Sequence, residues 1–120
     1  KRYDEELQSI LMKGIVANSK HKTPWLDDIR QRFSLTSTPD HIKANYVRAL
    51  FWDEDSIPFL STLLDQSQGY FIATVALETL IAMKSSPHWD QNIDFNTIID
   101  LALESKDLAQ IYCLIYILCL

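Results

Sequence analysis

The chain has 120 residues, 48% of them apolar, with 11 Lys/Arg against 16 Asp/Glu and a net charge of −5. That is enough for one domain with a core, and too acidic for a general nucleic-acid binder. Two glycines and four prolines are few breakers for this length, which favours helices over a many-turned β-sandwich.

The elements follow from periodicity and punctuation. Tyr3 to Asn18 reads as a helix, with Leu7, Ile10, Leu11 and Ile15 at three- and four-residue spacing. Lys20-His21-Lys22 lies in a polar loop closed by Pro24. Trp25 to Phe33 is a short helix with Trp25, Ile29 and Phe33 on one face. Thr38-Pro39-Asp40 is a start signal, a capping threonine followed by proline and an early acid. The helix it opens runs to about Trp52 on an inner stripe of Ile42, Tyr46, Ala49 and Leu50.

Asp53-Glu54-Asp55-Ser56 is the next turn, its acids placed at the positive end of the helix containing Pro58, Leu60, Leu63 and Leu64. Ser67-Gln68-Gly69 breaks that helix, and another runs from about Tyr70 to Lys84. A ten-residue loop from Ser85 to Asp94 carries Pro87, His88 and Trp89. The last pair spans Phe95 to Glu104 and Asp107 to the end. Seven helices are expected, the last six forming three antiparallel pairs.

Two of these pairs share a pattern offset by 38 residues. Leu60 falls on Ile98, Leu63 on Leu101, Ser67 on Ser105, Ala76 on Leu114 and Leu80 on Leu118. A two-helix repeat of this length cannot bury its apolar faces alone, so stacked neighbours must supply its core.

The residues Ile57-Pro58-Phe59-Leu60, Leu63-Leu64, and after a turn Ala76-Leu77 and Leu80, resemble an armadillo repeat. The stretch 98–120 is a looser copy and 25–52 a degenerate one. HEAT repeats share the same spacing. The resemblance covers about two-thirds of the chain and implies a right-handed α-solenoid of about three antiparallel helix pairs with an extra N-terminal helix. It implies one domain over 1–120 with units near 25–52, 55–84 and 94–120, the last helix of each lining a concave surface. Armadillo proteins of the importin-α and β-catenin types carry a groove asparagine, and in importin-α a tryptophan one turn earlier. The corresponding positions here are Thr79 and Val75, then Ile117 and Cys113. The resemblance therefore carries over a fold and not a peptide-binding ladder.

No phosphate loop, nucleophile elbow or metal-spaced cysteine pair occurs, so no catalytic, cofactor-binding or metal-ligating residue is expected, and the chain is expected not to be an enzyme. Cys113 and Cys119 point to different sides of one helix and are expected to be buried thiols. The expected partner is another protein, as a helix or extended segment, met by Tyr46, Arg48, Thr79, Tyr112 and Tyr116, with Trp89 as an outlying anchor or as a plug between repeats. Trp25 is expected to lid the core, whereas Trp52 fits either a buried or an exposed place. An alternative places nucleic acid on Lys13, Lys20 and Lys22, and a second places an enzyme site at the His88 loop.

The last helix is apolar on every side, so further repeats or self-association are expected to cover it, the chain being a segment of a longer one. The longest apolar run, Ile111 to Leu120, is too short to span a bilayer. The absence of a signal-peptide pattern and of Asn-x-Ser/Thr sequons makes an intracellular place, cytoplasmic or nuclear, the expectation.

Overall fold

The structure is a computed structural model describing residues 2–18, 23–35, 37–64 and 69–119. The Lys20-His21-Lys22 loop and the Ser67-Gln68 break lie outside the described residues. Among those described the fold is all helical, with no strand. The α-helices are α1 (Arg2–Asn18), α2 (Thr23–Ser34), α3 (Asp40–Ala49), α4 (Ile57–Thr62), α5 (Tyr70–Ala82), α6 (Trp89–Asn92), α7 (Phe95–Glu104) and α8 (Leu108–Cys119). Short 3₁₀ turns at Leu50–Trp52, Glu54–Ser56 and Met83–Ser85 extend or precede them. The expected long loop after Ser85 thus holds a one-turn helix, α6.

Local chemistry sets several boundaries. Thr38 does not cap α3: its hydroxyl donates back to the Arg32 carbonyl at 3.0 Å, tying down the exit from α2, and Pro39 occupies the cap position. Gly69 precedes α5 at φ 89° and ψ 148°, backbone that only glycine adopts without strain. Asp94 caps α7 by accepting from the Thr97 amide at 3.2 Å and its hydroxyl at 2.8 Å. These bonds hold the Asp94 carboxyl below its ordinary pKa, the Thr97 hydroxyl contributing most.

The helices form a row: α1 packs on α3, α3 on α5 and α5 on α8. In addition, α2 contacts α1 and α3, α4 contacts α5, and α7 contacts α8. The molecule is flat, 41 × 31 × 17 Å. One cluster of buried side chains runs through it, from Met12 and Val16 in α1 to Leu114 and Ile117 in α8. Burying each large aliphatic residue there contributes about 1.5–3 kcal/mol. The centre is α5, where Ile72, Ala73, Val75, Ala76, Leu77, Thr79 and Leu80 are all buried.

Two expected stripes face elsewhere. In α1 it is Ser9, Met12 and Val16 that turn inward, whereas Leu7, Ile10 and Leu11 are exposed. The small Ser9 sits against α3, where its hydroxyl accepts from Asn45 Nδ2 at 3.1 Å. In α2, Leu26 replaces Trp25 on the inner face beside Ile29 and Phe33, and Trp25 is exposed rather than a lid. Periodicity reveals that a stripe exists; the position of the neighbouring helix decides which stripe is covered. The α3 stripe of Ile42, Tyr46, Ala49 and Leu50 is buried as expected.

Candidate interaction surfaces

The expected contact residues separate into buried and exposed sets. Tyr46 is fully buried between helices and Trp89 is 1% exposed, so neither can meet a partner, and both leave the set of contact residues. Tyr46 lies beside Arg32, whose guanidinium takes both Asp28 oxygens at 3.1 and 3.2 Å and donates to Gln8 at 3.1 Å. Asp28 first, and Tyr46 after it, raise the Arg32 pKa above its ordinary value. No hydrogen bond of good geometry reaches the Tyr46 hydroxyl, which is shut off from water.

Trp89 is buried between the end of α5 and the start of α7. Its indole N–H donates to the Leu80 carbonyl at 2.9 Å, Phe95 meets its ring edge-on at 6.1 Å, and Lys84 Nζ lies 4.9 Å from the ring centre. Beside it, the Glu54 carboxylate accepts from the Ser86 hydroxyl and from the His88 amide. The Ser86 hydroxyl is the largest cause of a Glu54 pKa below the ordinary carboxylate value. Asp53 accepts from Ser56 at 2.5 Å. The acids of this turn therefore fasten the chain, Glu54 across 32 residues, in addition to leading into α4. Among the described residues no group of three His, Cys, Asp or Glu side chains is placed to hold a metal.

The second region is the outer side of α7 and α8. Ile99 and Leu103 on α7, and Leu108, Tyr112, Ile115 and Tyr116 on α8, are all exposed; Leu103 reaches 80%, Tyr112 72% and Tyr116 54%. The spacing of four, three and one in α8 puts its four residues on one face. Leu114 and Ile117 occupy the opposite face, toward α5. Gln110 Nε2 fastens α8 to the turn after α4 by donating to the Leu64 carbonyl at 2.8 Å. No residue of α8 is charged. Cys113 is half-buried and Cys119 exposed, both free, so neither is the buried thiol expected.

The third region is a furrow across α1, α3 and α5. Lys13, Arg48, Phe51, Trp52, Glu78, Thr79 and Ala82 line an open depression of ≈ 320 Å³. Lys13 and Arg48 are shared with an adjoining depression against Ser9, Ile10 and Asn45, and Phe51 and Trp52 with one reaching Met83 and Ser86. Arg48 and Thr79 are thus brought together, although only Arg48 is exposed and Thr79 shows just 6% of its surface. Its hydroxyl already donates to the Val75 carbonyl at 2.8 Å. Sequence reasoning missed Trp52, Phe51 and Lys13 as furrow residues; the pairing of α1 with α3 that assembles them leaves no local signal. Of the proposed nucleic-acid contacts, Lys13 is exposed in this furrow, and Lys20 and Lys22 lie outside the described residues.

No helix is long and apolar enough to cross a membrane among the described residues. Compared with models of known protein families, with curated protein sequences and with solved structures, the chain matches none.

Proposed function

We propose that the chain is a protein-interaction module that docks another protein surface through the outer side of α7 and α8, acting by binding and not by catalysis. The observation that carries this is the uncharged helix α8 with Leu108, Tyr112, Ile115 and Tyr116 turned to solvent. With Ile99 and Leu103 they leave about 700 Å² of apolar surface, taking roughly 200 Å² for a fully exposed large side chain. One partner's share of a stable interface is about 800 Å², so the two stripes supply most of what docking needs.

The architecture proposed with it is a right-handed α-solenoid of the armadillo/HEAT kind, with units near 25–52, 55–84 and 94–120 and α1 as the extra helix. The order of contacts α3–α5–α8, with α2, α4 and α7 each contacting one of them, supports that reading. In such a stack an unpaired end exposes the face that the next layer covers.

The test is solution mass by light scattering at two concentrations, for the native chain and for Tyr116→Asp. The native chain is expected to gain mass with concentration, and Tyr116→Asp to stay monomeric with unchanged helix content. A native chain that remains monomeric at both concentrations and behaves as the variant does overturns the reading.

A further inference from the structure

We infer that the furrow across α1, α3 and α5 is a second, independent docking site, and that its occupant is an acidic segment of a partner protein bearing an apolar residue beside its carboxylates. The argument starts from how the basic side chains are used. Arg32 is paired with Asp28 and Lys84 with Asp90. Arg30 lies over the Phe59 ring, 5.7 Å from its centre, and Lys43 over Phe33 at 5.3 Å. Among the basic residues whose side chains are described, Lys13, Arg48 and Lys106 have neither a carboxylate nor a ring. Lys106 sits in the turn between α7 and α8, whereas Lys13 and Arg48 line the same two depressions.

Two uncompensated cations side by side in a chain of net charge −5 form a local exception to its field. Arg48 has only a contact of 3.5 Å with Asn45 Oδ1, at the limit of hydrogen bonding, so its guanidinium keeps donors for a carboxylate. The depression at the α1–α3 end contains no acid. Toward α5 the furrow turns apolar at Phe51, Trp52 and Ala82, with Glu78 as its acid, and Glu54, already bonded to Ser86 and His88, lines the adjoining depression. A matching segment therefore puts its carboxylates over Lys13 and Arg48 and lays an aliphatic or aromatic side chain against Trp52. Rows of acids along the whole furrow would meet Glu78. A nucleic acid fits less well, because a phosphate backbone repeats its charge and needs more than two cations.

The probe is a random peptide library displayed on phage, selected against the whole chain, with a labelled single-stranded oligonucleotide measured in parallel by fluorescence anisotropy. The expected consensus has Glu or Asp next to Leu, Phe or Trp. Its affinity is expected to fall about tenfold or more in Arg48→Glu and Lys13→Glu, roughly the worth of one charge-assisted contact, and to be unchanged in Tyr116→Asp. Both cations are exposed, so helix content should be retained. A neutral or basic consensus, no consensus, or affinity indifferent to both reversals overturns the proposal. So does an oligonucleotide that binds as tightly with steep salt dependence, which would make the furrow a nucleic-acid site. Loss of binding in Tyr116→Asp alone would return the interaction to α8.

Discussion

The helix pairs α4–α5 and α7–α8 carry one apolar pattern, yet they live in different surroundings. Leu60 and its counterpart Ile98 are both fully buried, as are Ala76 and Leu114. Further along, the copies part company: Leu63 and Leu80 are buried, whereas Leu101 and Leu118 are only half-buried. The reason is position in the row. Helix α5 contacts α3, α4 and α8, while α8 contacts α5 and α7 and leaves Leu108, Tyr112, Ile115 and Tyr116 exposed. An apolar pattern thus marks what a helix is able to bury, and the number of neighbours sets how much of it is buried.

The comparison can be broken by truncation at equivalent positions. Leu80→Ala is expected to cost about 2–5 kcal/mol and Leu118→Ala roughly half as much or less, because a half-exposed site already lacks part of its packing and leaves a smaller cavity. Urea denaturation of both variants measures the difference; equal losses would mean that the outer side of α8 is covered.

A smaller effect tests the joint between the two pairs. Trp89→Phe keeps a ring against Phe95 and removes the indole donor to Leu80, together with much of the attraction to Lys84. A loss of about 1–3 kcal/mol is expected. Thermal unfolding followed at far-ultraviolet wavelengths would report it, and a variant as stable as the native chain would show that Trp89 is held by packing alone.

The smallest effect concerns acid. Glu54 is ionised more readily in the fold than in the unfolded chain, because Ser86 and His88 donate to its carboxylate. A lowered folded pKa means that its contribution is present above the unfolded value and is lost as pH falls through the folded one. The stability of the native chain should therefore drop on acidification below the ordinary carboxylate range, and Glu54→Gln should make that limb shallower. Parallel acid titrations of the two proteins followed by circular dichroism suffice; identical limbs would remove the Glu54–Ser86 tie as a contributor. Asp94 acts in the same direction, so Glu54→Gln should flatten the limb without abolishing it.

Much of this molecule was legible in its residues. The helical class, the break at Gly69, the inner stripe of α3 and the largely apolar α5 follow from spacing and from glycine's backbone freedom. The exposed tyrosines of α8 were legible too, since a helix apolar on all sides has more apolar surface than α5 and α7 cover. What only the tertiary structure decided is which of two plausible stripes turns inward. Leu26 rather than Trp25 is buried in α2, and Ser9 rather than Leu7 and Ile10 in α1. It also decided that Tyr46 and Trp89, read as contacts, are core, and that Lys13, Arg48 and Trp52 from distant segments share one furrow. Helical periodicity is a property of neighbours three and four residues apart, and the chain encodes it locally. Burial and shared grooves are set by residues 30 to 40 positions away, such as Asn45 on Ser9 and Ser86 on Glu54, and no local pattern records them.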